Sequence, residues 1–131
     1  ETMLRRRREI ARFYDEAFSG LECFETLARH SDRTHAHHLY VLKLRPGTLR
    51  INRARLIEEL KARGIGTSVH FIPLHLHPYY RETFGYAPNQ LPVARAVYER
   101  SISLPIYSRM SDRDVERVIA AVRAVTMAHW R

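Results

Sequence analysis

The stretch SISLPIYSRMSDRDVERVIAAV, Ser101 to Val122, predicts a strand followed by a helix and so sets the fold. SISLP, Ser101 to Pro105, reads as a short strand. Ser111 with Asp114 resembles a capping box, which predicts that a helix begins there. The residues that follow recur at helical spacing and form one apolar face: Val115, Val118, Ile119, Val122 and Val125.

Upstream of this stretch, the same criteria predict two more strands and four more helices. The strands are HHLYVLKLR, His37 to Arg45, and TSVHFI, Thr67 to Ile72. Each predicted helix has an apolar stripe, a capping residue or an initial proline: about Met3 to Phe18, residues 53–63 after Asn52, a short helix from Pro78 and another from Pro92. Glu22 to Thr34 reads as polar and irregular.

Three short strands cannot bury both faces of a sheet by themselves. We therefore expect an α/β (α+β) fold, in which a small three-stranded sheet is covered on one face by helices. The connection that follows the predicted strand Thr67 to Ile72 is long, and long connections are often functional.

Composition bounds the class of protein. The 131 residues suit one domain with a modest core, and the mean hydropathy of -0.38 indicates a globular chain. No apolar run approaches the roughly 18 residues that a membrane span needs, so no membrane partner is expected. The one cysteine, Cys23, excludes an internal disulfide framework and favours a reducing compartment, so we expect a cytoplasmic protein.

The chain is basic, with 22 Lys and Arg residues against 14 Asp and Glu residues. Most of these cations are arginines, which bind phosphate and carboxylate well. One interpretation is therefore a nucleic-acid-binding α/β module without enzymatic activity. Such modules expose several aromatic residues on strand faces, whereas Tyr40 and Phe71 stand alone on their predicted strands. We favour solvated arginines on helix faces and expect no nucleic-acid partner.

Titratable and aromatic residues concentrate in GIGTSVHFIPLHLHPYYRETFGY, Gly64 to Tyr86, called the histidine segment below. Its histidines are His70, His75 and His77. Their spacing lacks the paired ligands typical of a zinc site, and Cys23 is remote, so we expect no metal site.

No nucleophile motif accompanies these histidines, which disfavours a self-contained hydrolase. Two interpretations remain: a ligand-facing loop stiffened by prolines, or histidines that only satisfy backbone groups. We favour the first for His70 and His75, and the second for His77.

Several of these motifs resemble the DegT/DnrJ/StrS-type sugar aminotransferases, which are pyridoxal-phosphate enzymes of fold type I. The motifs are GIGTSVHFIPLH, PYYRETFGY and SISLPIYSRMSDRDVERVIAAV, with support upstream from RRRREIARFY and HAHHLYVLKL. The resemblance covers about Arg6 to Val125. It implies that residues 1–131 are the single C-terminal small domain of a longer aminotransferase, as also expected from a sequence that starts at Glu1 in helical sequence.

In this family the lysine that holds the cofactor lies in the larger N-terminal domain. The two lysines here, Lys43 and Lys61, have the settings of solvated structural residues. The resemblance therefore implies pyridoxal phosphate (PLP) in the full-length protein, but no cofactor site, no catalytic residue and no activity in this chain alone.

The resemblance also implies a reaction and its partners. The full-length enzyme would transfer an amino group, from glutamate, to a nucleotide-linked keto sugar in polysaccharide or glycan biosynthesis. It would act as a homodimer, with this chain closing the pocket against its own N-terminal domain. The substrate-binding residues implied are His70 and His75, with Tyr79 close by and Arg81 meeting a diphosphate or a carboxylate.

Overall fold

Five α-helices and a three-stranded antiparallel sheet make up the computed structural model, which describes residues 1–131. The strands, in sheet order, are β1 (Phe24–Thr26), β2 (Tyr40–Leu44) and β3 (Ser101–Leu104). The helices are α1 (Thr2–Phe18), α2 (Arg53–Ala62), α3 (Pro78–Phe84), α4 (Pro92–Arg100) and α5 (Asp112–His129), and a 3-10 turn spans Leu74–Leu76. The predicted α+β class is confirmed.

Strand register gives the sheet an apolar face and a polar face. Leu42 lies opposite Ile102, and both are fully buried. Because side chains alternate along a strand, the residues between them point the other way. The buried apolar face consists of Phe24, Tyr40, Leu42, Leu44, Ile102 and Leu104. The polar face includes Glu25, Lys43, Ser101 and Ser103.

Residues of α1 and α5 join the apolar face of the sheet in one core, and α2 packs on α5. The Tyr14 ring of α1 lies edge-on to Tyr40, with 4.9 Å between centroids, and its hydroxyl donates to the Pro105 carbonyl at 2.9 Å. On α5, Val122 and Val125 are fully buried. The apolar stripes predicted for both helices therefore face the core.

Local signals set the helix ends as predicted. The Asn52 side chain accepts a hydrogen bond from the Arg55 N–H at 3.0 Å, which caps α2. Gly64 follows α2 with a φ of 74°, a left-handed conformation that strains other residues. Ser111 and Asp114 form the expected capping box at the start of α5.

One strand prediction is wrong. Thr67 to Ile72 is not a strand, because it pairs with the sheet only through Ser68 and Ser103, with N···O distances of 3.1 and 2.8 Å. Antiparallel pairing would next bring His70 opposite Ser101. Ser101 is the first residue of β3, directly after α4, and its carbonyl accepts a hydrogen bond from Arg53 at 3.4 Å. The edge available for pairing therefore ends there.

The third strand of the sheet is instead β1, which lies within the stretch predicted to be irregular, Glu22 to Thr34. Its three residues are too few for a periodic sequence signal, but Phe24 is buried opposite Leu44. The strand is fixed by this tertiary contact rather than by its own pattern.

Charged side chains attach the connection between β1 and β2 to α1. Arg29 makes a bidentate ion pair with Asp15 of α1, in which Nε donates to Oδ2 at 3.2 Å and Nη2 donates to Oδ1 at 3.0 Å. One Arg7 nitrogen donates to the carbonyls of His37 and His38 at 3.0 and 3.1 Å. The loop therefore depends on α1 for its conformation.

His37 is the buried residue of this connection, with only 7% of its surface exposed and a positive φ of 47°. Burial, and then the positive charge of Arg29, lower its pKa from 6.5 to about 4. The folded chain therefore holds this imidazole neutral at pH values where the unfolded chain protonates it.

We predict that His37 makes the protein less stable as the pH falls from about 6.5 to about 4. In that range His37 is protonated in the unfolded state but neutral in the folded state. The free energy of unfolding therefore falls by up to about 3 kcal/mol. The His37→Asn variant, whose side chain tolerates a positive φ, should lose this part of the pH dependence in urea unfolding. His38→Asn, at an exposed neighbour, is the control. Equal pH dependence in wild type and His37→Asn would contradict the prediction.

Candidate functional site

The histidine segment leaves the end of α2, touches the edge of the sheet once, and then turns into α3. Its single anchor on the sheet is the Ser68–Ser103 backbone bridge. Beyond Ile72, the 3-10 turn at Leu74–Leu76 redirects the chain, and Pro78 starts α3. Prolines before the turn and at the start of α3 fix these two corners.

His70 lies two residues beyond the anchor and is partly exposed. Its Nε2 is 3.1 Å from the hydroxyl of Ser103. The residue lines an open cleft of about 520 Å³ along the outer edge of β3. The other lining residues are Leu39, Ser68, Val69, Phe71, Ile72, His77, Tyr98 and Ser103.

The other two histidines of the segment lie within and directly after the 3-10 turn. His75 is only 2% exposed, and its Nε2 has no hydrogen-bond partner. In this conformation it is out of reach of a ligand in solvent. His77 places its Nε2 3.1 Å from the Ile72 carbonyl, as the structural interpretation of this residue requires.

The remaining two predicted site residues lie on α3, which buries none of its side chains. Tyr79 is 65% exposed and stacks edge-on against Tyr80, with 5.3 Å between ring centroids. Arg81 is exposed, and its guanidinium makes no ion pair or hydrogen bond. It lines a separate, smaller cleft with Pro78, Glu82, Gly85 and Tyr86.

The four predicted site residues therefore do not converge within this chain. His70 lies in one cleft, Arg81 in another, and His75 is buried. Sequence reasoning missed Ser103 and Tyr98 as neighbours of His70. Ser103 lies in the predicted strand SISLP. Its contact with the His70 imidazole depends on the pairing of Ser68 with Ser103, which the sequence does not show.

Large apolar side chains accompany the site on the surface. Phe71 is 99% exposed, Leu74 62% and Phe84 60%. By contrast, Tyr40 is buried against Tyr14, so it cannot stack on a nucleic-acid base. The histidine segment thus carries exposed apolar side chains, whereas the strands carry none of the exposed large ones.

Neither lysine fits a cofactor-binding role. Lys43 is half-buried and ion-paired with Glu25 across the β1–β2 pair, and this contact lowers the pKa of the Glu25 carboxyl. Lys43 is thus a structural residue, although not the solvated one expected. Lys61 lies exposed in the last turn of α2. No group of three or more His, Cys, Asp or Glu side chains could hold a metal ion.

Comparison with known proteins identifies the fold and its motifs. The sequence model of the DegT/DnrJ/EryC1/StrS aminotransferase family matches residues 1–123. The chain belongs to this family. The match spans every strand of the sheet and the histidine segment, so the expected resemblance is confirmed.

Two relatives illustrate how the family sequence extends beyond this chain. The uncharacterized protein MJ1066 of Methanocaldococcus jannaschii is 54% identical over 125 residues, which are 95% of this chain and 32% of that protein. The spore coat polysaccharide biosynthesis protein SpsC of Bacillus subtilis is 46% identical over 126 residues, again 95% of this chain and 32% of that protein. This aminotransferase-family chain therefore spans about a third of the length of these relatives.

A solved structure shows the same fold. The PLP form of Spr1654 of Streptococcus pneumoniae, which is described as a sugar aminotransferase, superposes with a TM-score of 0.83 at 31% identity, covering 96% of this chain and 32% of that one. The fold is thus that of a part of a family aminotransferase.

No helix of this chain combines the length and apolarity needed to cross a bilayer.

We predict that neither lysine of this chain holds the cofactor in the full-length protein. The double variant Lys43→Met, Lys61→Met should retain the visible absorbance of lysine-bound pyridoxal phosphate, because one lysine is committed to Glu25 and the other faces solvent. Borohydride reduction and peptide mapping of the wild type should place the cofactor outside these 131 residues. A modified peptide containing Lys43 or Lys61 would contradict the prediction.

Proposed function

We propose that this chain is the C-terminal small domain of a PLP-dependent aminotransferase that aminates a nucleotide-linked keto sugar with glutamate as donor. The observation that carries the proposal is the family match over residues 1–123 in a chain that spans about a third of its relatives. The lysine settings support it, since the cofactor must then be held by another part of the protein. We further propose that the enzyme is a cytoplasmic homodimer serving polysaccharide or glycan biosynthesis.

The role of the chain is to bind and orient the substrate. When bound in the full-length protein, pyridoxal phosphate carries the amino group between the two substrates. Holding the keto sugar in a fixed orientation is itself a large part of catalysis, because it removes the entropy cost of bringing the groups together. His70 is the residue best placed for this in the chain, because it is fixed by Ser103 at the edge of a cleft.

Arg81 supports the proposal of a nucleotide-linked substrate. Its guanidinium is exposed and unpaired, although Glu82 is its sequence neighbour. A guanidinium without a carboxylate partner is available for bidentate contact with a diphosphate. Pro78 and the turn before it fix where α3 starts, and so fix where Arg81 lies on the surface.

The direct test is amino transfer by the full-length protein. Incubation with glutamate, pyridoxal phosphate and nucleotide-linked 4-keto sugars should give 2-oxoglutarate and an amino sugar in equal amounts, measured by chromatography and mass spectrometry. Free keto sugars lacking the nucleotide are the matched control and should react poorly. Transfer to ordinary 2-oxo acids, without transfer to any nucleotide-linked sugar, would contradict the proposal.

Arg81 provides a second test of the same proposal. Arg81→Ala should raise KM for the nucleotide-linked sugar by roughly 10- to 100-fold, since a charge-assisted hydrogen bond contributes about 1.5–3 kcal/mol. KM for glutamate should change little. The matched control is Arg113→Ala, which removes another exposed arginine without a hydrogen-bond partner, on α5. The same KM in Arg81→Ala and Arg113→Ala would show that Arg81 is only a surface cation.

A further inference from the structure

The hydroxyl of Ser103 is a buried polar group with one partner. Ser103 is 4% exposed. Its backbone is fully used by the bridge to Ser68, with N–H donating at 2.8 Å and C=O accepting at 3.1 Å. The hydroxyl has a single hydrogen-bonding neighbour, Nε2 of His70 at 3.1 Å.

This geometry favours one of the two neutral tautomers of His70. The Ser103 hydroxyl has one proton to donate, and Nε2 is the acceptor within reach. If Nε2 donated instead, the hydroxyl proton of the largely buried Ser103 would have no acceptor within the chain, which is costly. This argument favours donation from the hydroxyl to Nε2, which places the proton of the neutral ring on Nδ1.

Nδ1 of His70 is then the free donor of the site. It has no hydrogen-bond partner within the chain, and the residue lines the open cleft along β3. An Nδ1–H can donate a hydrogen bond to an acceptor oxygen, such as a carbonyl, ring or phosphoryl oxygen. It cannot accept a hydrogen bond from a ligand hydroxyl. The neighbouring Ser101 differs in this respect, since its buried hydroxyl donates to the Val97 carbonyl at 2.7 Å.

We propose that Ser103 is a positioning residue that holds His70 in its Nδ1–H tautomer, so that the ring donates a hydrogen bond to an acceptor oxygen of the keto-sugar substrate. This inference rests on the proposed function for the identity of the ligand. The Ser103–His70 contact itself is a property of this chain. His70 thereby selects substrates by an oxygen that accepts a hydrogen bond at that point.

The tautomer is tested by NMR on the full-length protein labelled with 15N in its histidine rings. The His70 signal, assigned by its loss in His70→Gln, should show a protonated Nδ1 and an unprotonated Nε2 in the neutral ring. Ser103→Ala should shift this signal towards the other tautomer, whereas Ser101→Ala should leave it unchanged. A wild-type signal with protonated Nε2 would overturn the proposal.

The consequence for the substrate is tested by kinetics on the same proteins. Ser103→Ala should raise KM for the keto sugar roughly 3- to 10-fold, the value of one ordinary hydrogen bond, with kcat changed less. Ser103→Thr, which keeps the hydroxyl, should restore KM, and Ser101→Ala should leave it near the wild-type value. In a His70→Ala background, Ser103→Ala should have no further effect.

The outcomes separate this inference from the proposed function. Equal effects of Ser101→Ala and Ser103→Ala on KM, or an undiminished effect of Ser103→Ala without His70, would show a merely structural serine and overturn the inference. A wild-type protein with the Nδ1–H signal but without amino transfer would overturn the proposed function, while supporting the positioning of His70 by Ser103.

Discussion

The candidate site depends on one backbone bridge between Ser68 and Ser103. It is the only pairing that the outer edge of β3 makes. Two hydrogen bonds fix the position of Ser68, and two residues later His70 reaches back to the Ser103 hydroxyl. Backbone and side chain of the same serine therefore locate the imidazole. The rest of the segment is then free to leave the sheet and form the turn and α3.

That bridge can be precise because β3 itself is rigidly held. All four of its residues are buried, with Ile102 and Leu104 in the core and the two serines on the polar face. Arg53 binds the carbonyls of Tyr98 and Ser101, which ties α2 to the junction of α4 and β3. A side chain that contacts such a strand edge, as His70 does, is held in place by the order of the core.

Several titratable groups of the chain are paired or buried. Lys43 is neutralised by Glu25, and His37 is buried and kept neutral beside Arg29. Nδ1 of His70 and the guanidinium of Arg81 are two groups without a hydrogen-bond partner in the chain, and both are donors in the tautomer proposed above. Two donors suit an oxygen-rich, anionic ligand. The exposed Phe71 adds apolar surface to the cleft that His70 lines.

The sequence by itself determined the helices, because their signals are local. Asn52 and Ser111 cap α2 and α5 within one turn, and Gly64 supplies the left-handed residue that ends α2. It also determined the family, since the motifs around His70 and Ser101 to Val122 are specific. Helix ends and motifs need no distant partner to be recognised.

Only the tertiary structure decided the sheet and the state of each site residue. Thr67 to Ile72 has the composition of a strand, but the edge of β3 offers it only one paired residue. By contrast, β1 is a strand because Phe24 pairs with Leu44 and is buried there. His70 and His75 look alike in sequence, yet one meets a serine 33 positions away at an open cleft and the other is buried in a turn. Strand pairing and burial depend on residues far apart in the chain, so no local pattern contains them.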